Sequence, residues 1–156
     1  HGTASFYITG ISNSLAHELT RHRHLSFSQL SQRQRLDDTG QFVEPDLIAA
    51  DPRLHSLFIE ATRNCVRAYE ELLIGLQDRL ANAGEASLSR KQARQAARSV
   101  LPNATETCLV VSGNYRAWRH FIGMRAAEHA DAEIRRLAVA CLRELHRIAA
   151  NVFADF

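Results

Sequence analysis

The sequence feature that most constrains the fold is a run of apolar residues that begins after Pro52 and recurs at steps of three and four. This spacing places the side chains on one face of an α-helix, and that face must pack against a core. Asp51 suits the N-cap of the helix and Pro52 its first turn, while the pattern fades near residues 82–84. One long amphipathic helix is therefore predicted. Its apolar stripe consists of Leu54, Phe58, Ala61, Cys65, Ala68, Leu72 and Leu76.

Shorter patterns predict the remaining elements. Alternating side chains predict a strand over residues 3–9 that ends at Gly10, and a buried strand is predicted over residues 105–112. Residues 26–36 have no sustained helical period and are interpreted as loop or short strand. Four further helices are predicted at about residues 15–24, 89–101, 115–127 and 131–150. The fold class is therefore α+β, with helices dominating a small sheet.

Composition limits the classes of function. The 156 residues are 46% hydrophobic, enough for a single domain (residues 1–156) with a core of its own. Nineteen Lys and Arg residues against 17 Asp and Glu residues leave a net charge of only +2, so any basic site must be a local concentration. This balance favours small anions over polyanions as ligands.

The cysteines and the hydropathy suggest a compartment. Cys65, Cys108 and Cys141 lie far apart, which predicts buried thiols in a reducing environment and no metal ligands. No apolar run approaches the roughly 20 residues that span a bilayer, and no signal peptide is evident. We therefore expect a cytoplasmic protein that holds no metal. Because the chain begins at His1 without a methionine, we also expect a fragment.

The strongest chemical signal is the segment 21–33, which contains three arginines, two histidines and three serines. Guanidinium groups suit phosphate or the planar edge of an imide. If Arg21 and Arg23 lie on a helix, they point in well-separated directions and should serve different ligands. Glu18, three positions earlier, could orient Arg21 or contact the ligand beside it. The alternative is an ordinary basic helix surface with exposed ion pairs.

Other chemistries fit this segment poorly. The zinc pattern H-E-x-x-H begins at His17 and Glu18 but has Arg21 in its fifth position. The next histidine is His22, and at that spacing on a helix its side chain points away from His17 and not toward a shared metal. The serines lack a Gly-x-Ser-x-Gly elbow, and the arginines that flank the nearby histidines oppose a general base. Neither G-x-G-x-x-G nor a P-loop occurs. Hydrogen bonding to an anion is therefore the better interpretation.

Two further groups are weaker signals. Arg90, Arg94 and Arg98 recur every four residues, which indicates a solvated helix face or a cationic wall for a phosphate. The other group could line the edge of a pocket, with Trp118 and Phe121 between its members as core anchors. Its members are Asn114, Arg116, His120, Met124, Arg125 and His129.

The segment 21–33 resembles the signature R-H-R-x-x-S-x-N-E-x-S-x-R of the flavin-dependent thymidylate synthases (ThyX). Its coinciding residues are Arg21, His22, Arg23, Ser26, Ser31 and Arg33, while Ser28 and Gln29 replace the common Asn and Glu. The resemblance extends over residues 6–12, 91–98, 100–107, 113–125 and 128–131. It covers nearly the whole chain, although more weakly between residues 34 and 89.

This resemblance implies the ThyX fold, and we expect the chain to be incomplete at both ends, without the N-terminal part of the family's domain and without its usual C-terminal tail. It also implies a methyltransferase that converts dUMP to dTMP, with FAD as cofactor and with methylenetetrahydrofolate and NADPH as co-substrates. Reduced flavin mediates both methylene transfer and reduction in the family, without a covalent cysteine nucleophile. The family forms homotetramers with active sites between subunits, and we expect neither nucleic acid nor a membrane as a partner.

Matching the motifs residue by residue assigns the expected site. The dUMP ligands are Glu18, Arg21, Gln29, Leu30, Ser31, Gln32, Arg33, Arg98 and Arg125. The FAD ligands are Arg21, His22, Arg23, His24, Gln29, Asn114, Arg116 and His120. Arg125 is the expected catalytic residue, because a fixed positive charge stabilises the ionised uracil imide. Gln29–Arg33 of one subunit would serve the nucleotide held by Arg21 and Arg125 of another.

Several departures from the family pattern leave alternatives open. A Gly-His-x-Ser/Thr run that contacts FAD in the family precedes the position matching His1 and is absent here. Gln34 stands where Tyr or Phe is common, and Gln29 removes a charge near the ligands. The alternatives are a nucleic-acid-binding module that uses residues 21–33 and 90–98, or an inactive fragment of the same fold.

Overall fold

The computed structural model describes residues 2–29, 41–81 and 86–156, with only the backbone described at residues 81 and 86–89. The chain divides into two compact units, one made of residues 1–29 and 107–156 and the other of residues 30–106. The single domain expected over residues 1–156 stays a prediction.

Helices dominate the described elements, with one small sheet, so the predicted α+β class is confirmed. In chain order the elements are β1 (Thr3–Ser12), α1 (Asn13–Leu19), β2 (Ser26–Gln29), α2 (Asp46–Ala49), α3 (Pro52–Ala81), α4 (Ala86–Ala97), β3 (Glu106–Asn114), α5 (Tyr115–Arg125) and α6 (Ala132–Ile148). Single 3₁₀ turns lie at Arg98–Val100 and Ala150–Val152.

The sheet has three strands in the order β1-β3-β2. β2 and β3 are antiparallel, and their register runs from Ser26 opposite Ser112 to Gln29 opposite Leu109. The short strand that was one interpretation of residues 26–36 is thus present at residues 26–29. β1 was predicted to end at Gly10 but continues to Ser12. Glycine tolerates the positive φ of 69° at this position, so the chain passes through Gly10 and remains in the strand.

Aromatic side chains fill the core of the first unit. Trp118 and Phe121 on α5 are fully buried, which confirms their prediction as core anchors. Phe6 from β1 meets the Trp118 ring edge-on, with 4.9 Å between ring centroids. The indole Nε1–H of Trp118 donates to the carbonyl oxygen of Ala4 at 3.1 Å, so the polar edge of this buried ring is paired.

α6 covers this core with the apolar stripe that the sequence predicted. Ile134, Ala138, Cys141 and Leu145 are buried, whereas Ile148 at the end of the helix is 63% exposed. The helix is shorter than the predicted residues 131–150, because its N-cap is Asp131 and its C-cap is Ala149. The predicted range included both cap residues, which flank the helix and are not counted as part of it.

α1 is also shorter than predicted, since it ends at Leu19 and not near residue 24. Thr20 closes it, and the backbone then turns with hydrogen bonds from His22 to Leu19 and from Leu25 to His22. Leu25 is only 6% exposed and is the last residue before β2. Burying Leu25 and pairing β2 with β3 both require the chain to leave the helix before residue 21.

The second unit contains the predicted long helix. α3 spans Pro52–Ala81, and Asp51 caps it by accepting hydrogen bonds from the backbone N–H groups of Arg53 and Leu54 at 2.8 and 3.2 Å. α3 packs against α4, which ends at Ala97 and not near Leu101. A 3₁₀ turn takes over the last residues of the predicted helix. The short helix α2 has no counterpart among the predicted elements.

Candidate functional site

The ends of α1 and α5 meet around the guanidinium of Arg125, the last residue of α5. Its Nη1 donates to the carboxylate of Glu18, and its Nε donates to Nε2 of His22 at 2.9 Å. The Arg125 side chain is 22% exposed and that of Glu18 is 32% exposed. The guanidinium is therefore held on two edges by groups that come from one helix end and the turn after it.

This arrangement gives Glu18 a different partner from the one considered in the sequence. Glu18 pairs with Arg125, 107 residues away along the chain, and not with Arg21 three positions ahead. A pair between Glu18 and Arg21 needs a helix that continues through both residues. Because α1 ends at Leu19, the expected orientation of Arg21 by Glu18 is not present.

The surroundings of His22 favour its neutral form. The imidazole is buried and meets the ring of Phe121 edge-on, with centroids 5.1 Å apart. Burial lowers the pKa of His22 from its ordinary value, and the charges of Arg125, His120 and His24 lower it further. The ring is therefore neutral at pH 7, which leaves Nε2 able to accept the hydrogen bond from Arg125.

Exposed basic side chains lie in the turn after α1 and on α5. The rings of His24 and His120 lie 5.6 Å apart between centroids, which joins the turn to the outer face of α5. Arg21 and Arg23 are exposed, as is Arg116 in the first turn of α5. None of these three arginines forms an ion pair with a residue that the structure describes. Guanidinium groups in this state suit an anionic ligand.

Asn114 lies beside this basic surface with a structural role of its own. Its Oδ1 caps α5 by accepting the backbone N–H of Ala117 at 2.8 Å, which leaves its amide nitrogen as a donor. An open groove follows this end of the helix. It is lined by Gly2, Thr3, Asn114, Tyr115, Arg116 and Val152.

The other expected site residues lie elsewhere. Gln29 is at the far end of β2, about 10 Å along the strand from Ser26, and its Nε2 donates to Oγ1 of Thr107 at 3.3 Å. Arg98 belongs to the second unit, where it begins the 3₁₀ turn after α4. The expected ligands Leu30, Ser31, Gln32 and Arg33 lie outside the described residues, as does Gln34.

Sequence reasoning missed the contacts that organise this site. The motif indicated Glu18, His22 and Arg125, but no local pattern predicts that residues more than 100 positions apart hydrogen-bond to one another. Phe121 was predicted for the core only, although it also packs against His22. Within residues 2–29, 41–81 and 86–156, no group of three potential metal ligands occurs. No helix in those ranges is long and apolar enough to span a membrane.

Comparison with known proteins places this site in a family. The profile of the thymidylate synthase complementing protein family matches residues 1–150. A flavin-dependent thymidylate synthase from Mycolicibacterium gilvum is 60% identical over 156 residues, which are 100% of this chain and 62% of that protein. The proteins of the same name from Mycobacteroides abscessus and Mycolicibacterium vanbaalenii are 61% and 62% identical, with the same two shares.

The match spans all but the last few residues of the chain, and it includes every described residue of the site in the first unit. The chain spans 62% of the length of these relatives. The helix-dominated fold and the motif at residues 21–33 agree with the comparison. The chain therefore belongs to the thymidylate synthase complementing protein family, the flavin-dependent thymidylate synthases that the motif predicted.

Proposed function

We propose that the protein acts as a FAD-dependent thymidylate synthase, which converts dUMP to dTMP with methylenetetrahydrofolate as one-carbon donor and NADPH as reductant. The shared name of relatives about 60% identical to this chain supports the reaction class. The observation that carries the proposal is the guanidinium of Arg125, held by Glu18 and His22 beside exposed basic side chains.

Arg125 is the proposed catalytic residue. Arginine carries five N–H groups, and the contacts with Glu18 and His22 use two of them. The remaining N–H groups can donate to a uracil ring. A fixed positive charge in a partly buried position lowers the cost of ionising the uracil imide, and the resulting anion is the better carbon nucleophile. The other dUMP ligands are those that the motif assigns, with Arg21 exposed for the phosphate.

The donor chemistry of the basic surface fits FAD. Arg23 and Arg116 are exposed without partners among the described residues, as a pyrophosphate requires of its ligands. His24 and His120 add ring N–H groups, and Asn114 adds an amide nitrogen. When bound, reduced flavin would supply the electrons that complete the methyl group.

Two of the three cysteines, Cys108 and Cys141, are buried, which supports a reaction without a covalent thiolate. Burial raises the pKa of Cys141 to about 12, so its sulfur stays protonated at neutral pH. Cys108 is also buried, on the central strand β3. Neither thiol can therefore act as a nucleophile toward dUMP without a large rearrangement.

We further propose a cytoplasmic homotetramer with active sites between subunits. In the second unit, α2 and α3 expose Leu47, Leu57, Leu72 and Ile74 by 87, 62, 42 and 60%. These exposed apolar side chains are available for contact with another subunit. Light scattering after size exclusion should give four times the chain mass. A stable monomer would contradict the shared site.

A spectrum of the full-length protein, followed by an activity assay, tests the proposed reaction. We expect flavin absorbance, either as purified or after FAD is added, and dTMP formation from dUMP with NADPH and methylenetetrahydrofolate. Arg125→Ala should abolish turnover while the circular dichroism spectrum is retained. Arg135→Ala, which removes an exposed arginine from α6, is the matched control and should be active.

Two further outcomes distinguish the proposed roles. Arg23→Ala should weaken FAD retention more than dUMP binding, whereas Arg125→Ala should weaken dUMP binding more than FAD retention. Equal loss of both affinities in both variants would show that this division of roles is wrong. Protein that holds no flavin, forms no dTMP and binds DNA or RNA with strong salt dependence would instead be a nucleic-acid-binding module.

A further inference from the structure

The orientation of the Arg125 guanidinium depends on two hydrogen bonds of unequal rigidity. Glu18 holds Nη1, but its side chain is 32% exposed and can follow the arginine if it moves. His22 holds Nε, and its ring is buried and packed edge-on against Phe121. A single ion pair would leave the guanidinium free to rotate, whereas a second bond to a fixed ring sets its plane.

We propose that His22 is a positioning residue, whose neutral imidazole accepts the Nε–H of Arg125 and thereby sets the plane in which Arg125 presents its remaining N–H groups. The structural part of this inference depends only on the contacts of His22. The consequence for dUMP rests on the function proposed above. The resemblance assigned His22 a flavin contact, and the motif at residues 21–33 does not predict its hydrogen bond to Arg125.

The proposed role requires one particular tautomer. Nε2 can accept only if the ring proton is on Nδ1. The structure gives Nδ1 no hydrogen bond with a described residue, and no described buried side-chain nitrogen or oxygen lacks a partner. Nδ1 therefore reaches the surface, where its N–H can donate to a bound ligand. One neutral ring can in this way support Arg125 and contact a cofactor.

Protonation of His22 should release Arg125. An imidazolium carries a hydrogen on Nε2, so the bond from Arg125 is lost and two positive charges face each other. The charged and titratable groups around His22 are Arg125 and His120 on α5, His24 on the same turn, and Glu18 through its pair with Arg125. The phosphate of dUMP also gains a proton in acid. Only the ratio of wild-type affinity to the affinity of a variant without the His22 ring therefore isolates the contribution of His22.

Two variants of the full-length FAD-loaded enzyme test the role. His22→Gln keeps an acceptor oxygen that does not titrate, and His22→Leu keeps the bulk without an acceptor. We expect His22→Leu to weaken dUMP binding by about 10-fold to 100-fold, the effect of one lost bond to a charged group. His22→Gln should recover most of that loss. The ratio of wild-type to His22→Gln affinity should fall as the pH decreases below about 6.5.

The opposite results would overturn the proposal. They are equal losses in both variants, wild-type affinity in His22→Leu, or a ratio that does not change with pH. If His22→Leu does not fold, nitrogen-15 spectra of histidine-labelled wild-type protein decide the question, because they identify the protonated ring nitrogen. A proton on Nδ1 at pH 7 is expected, and a proton on Nε2 overturns the proposal. This measurement needs no dUMP, so it separates failure of the positioning role from failure of the proposed function.

Discussion

A carboxylate at the start of α6 holds the start of α1, and its removal gives a measurable prediction. Glu133 accepts the backbone N–H of Ser12 at 2.8 Å and the Ser12 hydroxyl at 2.6 Å. The same hydroxyl caps α1 by accepting the N–H of Leu15 at 3.0 Å. Ser12 is 3% exposed, so solvent replaces the carboxylate only poorly. Glu133 thus holds the start of α1, the helix that contains Glu18 and leads into the turn with His22.

The magnitude follows from these two bonds. A hydrogen bond to a charged group contributes about 1.5–3 kcal/mol, and some of the loss is recovered because Glu133 is half-buried. Glu133→Ala should therefore lower the free energy of unfolding by about 2–4 kcal/mol. Glu133→Gln keeps one acceptor oxygen and should lose about half as much. Ser12→Ala removes the cap, worth about 1 kcal/mol, together with one of the two bonds to the carboxylate, so its total cost should be about 2–4 kcal/mol.

Urea denaturation followed by circular dichroism measures these losses, and thermal unfolding provides a check at about 2–4 °C per kcal/mol. Because Ser12 and Glu133 share their bonds, the double variant should be more stable than the sum of the single losses predicts. Glu144→Ala is the matched control, since Glu144 pairs with Arg147 at 3.1 Å on the exposed surface of α6. The free energy of unfolding of Glu144→Ala should lie within about 0.5 kcal/mol of the wild-type value. Additive losses, or a Glu133→Ala variant as stable as the control, would refute the reasoning.

The remaining predictions concern four single positions. A Cβ added at Gly113 would lie 2.4 Å from Cδ2 of buried Leu25, so Gly113→Ala should cost about 1–3 kcal/mol by urea denaturation, whereas Gly75→Ala on α3, where the space is open, should stabilise by about 0.5–1 kcal/mol. Asn114→Ala should lose about 1 kcal/mol of unfolding free energy with its cap, and a serine there should restore most of it. Cys141, whose pKa burial raises to about 12, should resist thiol reagents at pH 8 until denaturant is added, and rapid native labelling would contradict its burial.

Local rules were sufficient to predict much of the fold. The apolar stripe of α6 and the long helix α3 follow from helical spacing, which a chain shows in its own sequence. Asp51 was recognised as a helix start because a capping side chain acts on backbone N–H groups two or three residues ahead. Each of these features involves neighbours in sequence, so no knowledge of the tertiary structure was needed.

The end of α1 could not be predicted in this way. Residues 20–24 contain no proline or glycine, and the sequence alone allows the helix to continue. The helix ends because Leu25 is buried and because Ser26 begins a strand that pairs with β3. Both partners are provided by residues more than 80 positions later in the chain. A tertiary contact therefore overrides the local preference.

This shorter helix changes how the residues of the motif divide their work. The expected separation of Arg21 from Arg23 assumed a helical backbone, which the turn after Thr20 does not have. In that turn His22 is buried, while Arg21, Arg23 and His24 are exposed. The turn therefore separates His22, which points inward and supports Arg125, from the outward basic residues, which can bind anions. That Arg21 and Arg23 serve different ligands stays a prediction, which now rests on the family motif and not on helix geometry.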